Sequence, residues 1–315
     1  MDPVPIRKAL MRWFGRHQRD LPWRRTRDPY AIWISEIMLQ QTRVAAVIPY
    51  YERFLTRFPK VEDLASAPET EVLTMWAGLG YYSRARNLQK AARQVVTAGG
   101  FPQSYDGILA LAGIGEYTAG AVASIAFGLP HPAVDGNVRR VVMRLAGSAE
   151  IDVASEAAGL LDRRKPGEFN QALMELGALV CLPSAPCCTE CPVQSLCAAN
   201  RLSLQADLPP RRVKAAAVKK ERTLLVIRKR GRILLVPSPR VEGFWDLPEP
   251  FSGIRLGTRL GMFRHAITNS QYQFEVREAS MQGKPQEARW WEEKNLDQMP
   301  LSTASKKALA CLQSV

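Results

Sequence analysis

Two domains, the first all-α and the second α+β, are predicted by three observations on this 315-residue chain. The length exceeds what one small core organises, on a prior of ~100–200 residues per domain. Apolar residues recur at three- and four-residue spacing as far as residue 205, the signature of packed helices. Beyond Leu208-Pro209-Pro210 the pattern changes to β-rich runs. The expected division is a helical domain over 1–205, a basic linker over 206–221 and an α+β domain over 222–315.

Within the first part, Ile6 to Phe14 reads as a short amphipathic helix, and Asp28-Pro29-Tyr30 as a turn opening the next helical run. Ser35 and Glu36 then start Ile37-Met38-Leu39-Gln40-Gln41, and a longer helix from Val44 is ended by Pro59. Further helices are expected over Glu69–Trp76, Ser83–Thr97, Tyr105–Ala110, Glu116–Phe127, Asn137–Leu145 and Pro166–Val180. In the second part, Thr223–Ile227 and Arg232–Val236 flank Arg228-Lys229-Arg230-Gly231 as a hairpin would. Gly261–His265, Gln271–Arg277 and Ala288–Trp291 read as strands, and Thr303–Leu312 as a terminal helix.

The formal net charge of +13 points to a polyanionic partner, with solubility as the plainer alternative. Its distribution is uneven. Residues 1–210 hold 23 Lys and Arg against 20 Asp and Glu, so most of the excess lies further on, chiefly in Arg211 to Arg232. No run approaches the ~18 apolar residues of a membrane span, and the first residues lack a signal-peptide layout. A cytoplasmic protein without membrane association is expected.

Of six cysteines, four stand as Cys181, six residues, Cys188, two residues, Cys191, five residues, Cys197. In a reducing compartment this density points to metal ligation rather than disulfides. Thiolates hold either tetrahedral zinc or a cubane iron–sulfur cluster. Structural zinc favours two short Cys-x2–4-Cys pairs across a longer gap, and the uneven spacing here favours a 4Fe–4S cluster. Cys187 neighbours the set, and Cys311 lies far from it.

Leu111-Ala112-Gly113-Ile114-Gly115 places two glycines between helices, where Gly113 and Gly115 let backbone amides and a helix N-terminus face a phosphate. The plainer reading is a tight turn. About twenty residues on, Val134-Asp135-Gly136-Asn137 sets a carboxylate at a helix start, where most aspartates are simple caps. Hairpin, aspartate and cysteine loop, in this order, resemble the endonuclease III superfamily of DNA glycosylases over nearly all of residues 1–200. Leu21-Pro22-Trp23-Arg24, Trp33 to Thr42 and Gly78-Leu79-Gly80-Tyr81-Tyr82-Ser83-Arg84 are similar to adenine DNA glycosylases of the MutY type.

That resemblance implies a helix-hairpin-helix glycosylase domain with an iron–sulfur loop. It implies base excision repair on double-stranded DNA carrying adenine opposite 8-oxoguanine or guanine, by a monomer acting at the bacterial nucleoid. A purine leaves as a poor anion and needs a proton, which Glu36 in its apolar surroundings could supply. Read alone, Glu36 suits the first turn of a helix. Asp135 would face the sugar cation, with Asn137 orienting it and Tyr117 near the sugar. Tyr117 stands where bifunctional lyases carry an amine, so a monofunctional enzyme is expected. Flipping the base requires filling the gap, and the resemblance gives Gln41 a probing role and Tyr81 a wedge role. Arg24, Arg84 and Arg86 are candidate contacts to phosphates or the flipped base.

Ile233-Leu234-Leu235-Val236 followed by Gly243-Phe244-Trp245-Asp246-Leu247-Pro248 is similar to the start of a NUDIX fold, without the acidic magnesium-binding signature. A NUDIX-like domain that recognises rather than hydrolyses is expected. Where the family reads the lesion through Phe-Ser-His, this chain has Phe263-Arg264-His265, and Arg264 can bond guanine's edge or a phosphate. Two rivals stand beside this expectation: a thymine or uracil mismatch glycosylase, and a non-catalytic DNA-binding module.

Overall fold

The computed structural model describes residues 2–210, 218–267, 270–283, 285 and 287–314. Part of the expected basic linker, 211–217, lies outside the described residues. Among the described residues twelve α-helices come first: α1 (Pro3–His17), α2 (Pro29–Leu39), α3 (Val44–Arg57), α4 (Val61–Ser66), α5 (Glu69–Trp76), α6 (Ser83–Thr97), α7 (Tyr105–Leu109), α8 (Glu116–Phe127), α9 (Gly136–Ala146), α10 (Val153–Leu160), α11 (Pro166–Leu179) and α12 (Ala198–Arg201). Then follow β1 (Val218–Val226), β2 (Arg228–Lys229), β3 (Arg232–Pro237), β4 (Trp245–Asp246), β5 (Ile254–Ile267), β6 (Ser270–Met281), β7 (Arg289–Glu292) and α13 (Thr303–Ala310). No described helix is long and apolar enough to cross a membrane.

The chain divides into two compact units. One comprises Met1–Ala65 with Lys90–Arg212, the other Ser66–Gln89 with Val213–Val315. Residues 66–89, expected from the sequence to belong with the helices around them, thus group with the β-rich half.

In the first unit, one core is built from α1, α9, α10 and α11, with Leu10, Phe14, Val142, Phe169 and Leu173 all buried. Cys181, Cys187, Cys191 and Cys197 pack against its edge. A single helix spans Pro29–Leu39 where the sequence reads as a turn followed by a fresh start at Ser35. The Asp28 side chain accepts from the amides of Tyr30 and Ala31, and Pro29 takes the first helical position, where a missing N–H costs nothing. Glu36 therefore lies in the second half of α2 and not in a first turn.

In the second unit, β1, β6 and β5 form one sheet in that order, β1 parallel and β5 antiparallel to β6. A second sheet centres on β3, paired with β2, β4 and β7. The expected hairpin is present but shorter: β2 with the Ile227 carbonyl, which accepts from the Leu234 amide, pairs with β3, while Thr223–Val226 runs parallel to β6. Arg230 and Gly231 form the two-residue turn with φ of 51° and 71°, matching the twist of a tight hairpin. Leu224 and Val226 enter a core with Ile233, Phe274 and Ala308, whereas Leu225 and Ile227 enter a second cluster with Leu234 and Ala288. The run is apolar throughout because both faces of the strand are covered.

Candidate active site

A cavity of about 890 Å3 in the first unit brings together Glu36, Gln41, Tyr117, Asp135, Asn137, Arg24 and Gly115. Helix α2 delivers Glu36 from an apolar interior, between buried Ile32, Trp33, Ile34 and Ile37, and leaves it only 5% exposed. The Tyr117 hydroxyl on the first turn of α8 donates to its Oε2. Burial pushes the Glu36 carboxyl up to about 7, the Tyr117 hydrogen bond opposes that rise, and the charge of Asp135 adds to it. Tyr117 is itself driven well above the usual phenol range by burial and by the two carboxylates.

Asp135 caps α9, its Oδ1 accepting from the Val138 amide at 2.7 Å while its Oδ2 accepts from Asn137 Nδ2 at 3.0 Å. Burial raises its carboxyl, against these hydrogen bonds, which favour the ionised form. The two readings of Asp135, cap and site residue, thus coexist. Arg140 completes the chain of contacts: Nη2 donates to Asn137 Oδ1 at 2.9 Å and Nε to the Cys181 carbonyl at 2.7 Å. Gly177 lets α11 approach here, since a Cβ on it would stand 2.6 Å from that of Asn137.

The sequence reading missed Glu175 and Arg19, which line the same cavity. Glu175 is 1% exposed and takes paired hydrogen bonds from both Arg19 and Arg24, between 2.6 and 3.0 Å. Burial alone would raise this carboxyl, but the two guanidinium groups outweigh it and bring it down to about 2. The signal was a glutamate set among Leu173, Leu176 and Gly177, on the apolar side of a helix.

Gly113 takes φ of 74° in the turn between α7 and α8, and Gly115 caps α8 without a side-chain acceptor. The first amides of α8 can therefore meet an outside oxygen. Gln41 sits at φ of 57°, a backbone state that non-glycine residues rarely adopt and that clusters at functional sites.

Tyr81, Arg84, Arg86, Phe263, Arg264 and His265 belong to the second unit. Tyr81 is 56% exposed at φ of 48°. The Arg84 guanidinium lies over its ring and donates to the carbonyls of Leu79 and Gly80, and Arg86 is engaged by Glu69 and the Glu242 carbonyl. Phe263, Arg264 and His265 are paired residues of β5, opposite Phe274, Gln273 and Tyr272. Alternation puts Phe263, stacked on Phe274, and His265 on one face and exposed Arg264 on the other.

Cys181, Cys188, Cys191 and Cys197 surround a cavity of about 30 Å3 that Arg144 also lines. Arg144 Nη1 lies 3.3 Å from Cys181 Sγ and also donates to the Leu182 carbonyl, while Nη2 and Nε donate to the carbonyls of Pro183 and Leu208. Among the described residues no three His, Cys, Asp or Glu side chains meet closely enough to hold a single metal ion. Four cysteine thiols around one cavity are a donor set that suits a thiolate-held metal group.

The description "HhH-GPD superfamily base excision DNA repair protein" matches residues 34–166. The human adenine DNA glycosylase is 48% identical over 222 residues, 64% of this chain and 41% of that protein. The chain thus aligns with well under half the length of that relative. The adenine DNA glycosylase of Buchnera aphidicola subsp. Acyrthosiphon pisum is 34% identical over 251 residues, 76% of this chain and 72% of that protein. A solved thermostable thymine-DNA glycosylase superposes with a TM-score of 0.60 at 31% identity, covering 64% of this chain and 97% of that one. With the carboxylates, the hairpin and the cysteine loop in one helical unit, and with these likenesses, the chain belongs to the adenine DNA glycosylase family within the HhH-GPD superfamily.

Proposed function

We propose that the protein is a monofunctional DNA glycosylase of base excision repair that flips adenine mispaired with 8-oxoguanine or guanine out of double-stranded DNA. It hydrolyses the N-glycosyl bond and leaves an abasic site. The observation that carries this reading is the pair Glu36 and Asp135 on one cavity, with the carboxyl of Glu36 lifted to about 7. A carboxyl with that value is substantially protonated at neutral pH and can donate to the departing purine. Asp135, held by Val138 and Asn137, faces the oxocarbenium-like sugar and stabilises it as a carboxylate. None of the residues lining the cavity is a lysine, and Tyr117 is no Schiff-base former, which supports hydrolysis without strand cleavage.

Glu175, flanked by Arg19 and Arg24, gives the cavity a fixed pattern of donors and acceptors against which a flipped base would be read. Gln41 and Tyr81 are the proposed residues that enter the stack, and the turn around Gly113 and Gly115 the proposed phosphate contact. The second unit is read as a NUDIX-like domain that recognises the opposite base through Phe263, Arg264 and His265. Cys181, Cys188, Cys191 and Cys197 would hold a 4Fe–4S cluster. Such a cluster supplies a rigid cross-link of the loop, since glycosidic hydrolysis transfers no electrons.

The likeness to a thymine-DNA glycosylase favours thymine or uracil opposite guanine as the second reading. Single-turnover cleavage on a duplex panel separates the two. Adenine opposite 8-oxoguanine and guanine should be excised, and thymine and uracil opposite guanine left intact; the reverse pattern overturns the proposal.

A further inference from the structure

Residues Ser66–Gln89 form one compact unit with the β-rich part of the chain, and one of the ties that hold them there is at Tyr82, beside Tyr81. Tyr82 packs on Phe244 with ring centroids 4.0 Å apart, and its hydroxyl lies 3.4 Å from Thr303 Oγ1. Phe244 is 1% exposed and sits in a tight loop, its amide donating to the Val241 carbonyl. Next to it, Gly243 has φ of 76°, and a Cβ there would meet Leu73 Cδ1 at 3.2 Å. Arg86 bridges Glu69 to the Glu242 carbonyl, and Lys306 Nζ on α13 donates to the Ala77 carbonyl at 3.4 Å. Glu242, Gly243, Phe244, Thr303 and Lys306 thus meet the segment on both sides of the turn from Gly78 to Tyr82.

That turn is built to present Tyr81. Gly78 and Gly80 supply φ of 119° and 71°, Trp76 Nε1 donates to the Gly80 carbonyl, and Arg84 braces the Tyr81 ring from below. An aromatic residue at positive φ with more than half its surface in solvent gains little from its own packing, so its neighbours must hold the conformation. Successive residues point apart: Tyr82 into the β-rich part, Tyr81 outward.

We propose that Phe244, acting through Tyr82, is a positioning residue for Tyr81, so that the β-rich part sets the pose of the residue that enters the DNA stack. This rests on the reading of Tyr81 as the wedge. It assigns the C-terminal half a second task besides contact with the opposite base: loosening its grip on Tyr82 weakens mispair engagement even when Phe263, Arg264 and His265 are untouched.

The test is a double-mutant cycle on the full chain, with single-turnover excision of adenine opposite 8-oxoguanine and with 2-aminopurine beside the mispair as a stacking reporter. Tyr81→Ala and Phe244→Leu should each slow excision by roughly ten- to a hundredfold and reduce the reporter change, as misplacement of a positioned group does. The double variant should be no worse than Tyr81→Ala, and Phe244→Tyr should restore both readouts. Multiplying losses in the double variant, or a normal reporter change in Phe244→Leu, would overturn the proposal. If Tyr81→Ala alone changes neither readout, the wedge reading has failed instead. Should Phe244→Leu fail to fold, Tyr82→Phe, which removes the hydroxyl that meets Thr303, and Lys306→Met, which removes the donor to the Ala77 carbonyl, carry the same cycle. Wild-type behaviour in both of these would overturn it equally.

Discussion

The Tyr117 hydroxyl donates its hydrogen to Glu36 Oε2 inside the cavity, binding a residue of the hairpin's second helix to the buried carboxyl of α2. Substituting Glu36→Gln keeps an oxygen for that hydrogen bond and removes the transferable proton. Single-turnover excision should collapse while duplex affinity stays within about tenfold, because the contacts that bind DNA are left in place. Excision comparable to wild type would sink the assignment of the acid.

The pH dependence has a definite sign. Glu36 is raised from 4.5 to about 7, so its protonated form is full at acid pH and falls by about tenfold per unit above neutrality. The excision rate should follow that alkaline fall. Tyr117→Phe removes a hydrogen bond that favours the ionised carboxylate, so the limb should move to higher pH. A downward shift would show that Tyr117 acts otherwise. The same linkage bears on stability: a raised carboxyl contributes fully below 4.5 and its contribution is lost as pH rises through 7. Between those limits Glu36→Gln should gain up to ~3 kcal/mol on the wild type in urea unfolding.

Glu175 titrates in the opposite sense. Held at about 2 by Arg19 and Arg24, it contributes stability above its ordinary range, and that contribution is lost as pH falls from about 4.5 through 2. Glu175→Gln leaves two guanidinium groups facing a neutral amide in a largely buried site, at a cost of ~3–5 kcal/mol. A markedly lowered unfolding midpoint at neutral pH, with the gap to wild type closing toward pH 2, is expected; an unchanged midpoint would contradict it.

Periodicity made the helical half legible because each helix buries one stripe, and the cysteine spacing picked out four residues that line one small cavity. What could not be read depended on partners distant in the chain. Glu175 meets Arg19 and Arg24 across 156 and 151 residues, and without those arginines an inward glutamate looks like any helix glutamate. Glu36 reads as a first-turn residue until Asp28 is seen to cap the helix eight residues earlier. Residues 66–89 carry ordinary helical patterning, and contacts such as those to Glu242, Phe244, Thr303 and Lys306 reveal which core they join. The strand 223–226 was visible, but not its partner, because parallel pairing with β6 leaves no turn between them to mark it.

For the cysteine loop, the purified protein should show broad visible absorption with iron and sulfide, and Cys188→Ser should lose it. Arg144 ties Cys181 Sγ to three carbonyls, so Arg144→Met should speed bleaching by a chelator while leaving the helical far-UV signal in place. A colourless protein that releases stoichiometric zinc on denaturation would replace the cluster with a single ion.

The stretch Phe263-Arg264-His265 makes the finest distinction. Phe263 and His265 share a face of β5, and Arg264 projects from the opposite one into solvent. A charge-assisted phosphate contact from the exposed Arg264 would not depend on the base, and it would lift engagement of the weaker mispair with guanine more than that of the mispair with 8-oxoguanine, which is already nearly full. Arg264→Ser should therefore improve the preference for 8-oxoguanine over guanine opposite adenine, with weaker overall affinity and a shallower salt dependence. Phe263→Ala, which removes a ring stacked at 5.0 Å on Phe274, should weaken the preference instead. Single-turnover rates on the two mispairs measure both effects, and equal ratios in wild type and both variants would remove this strand from lesion reading.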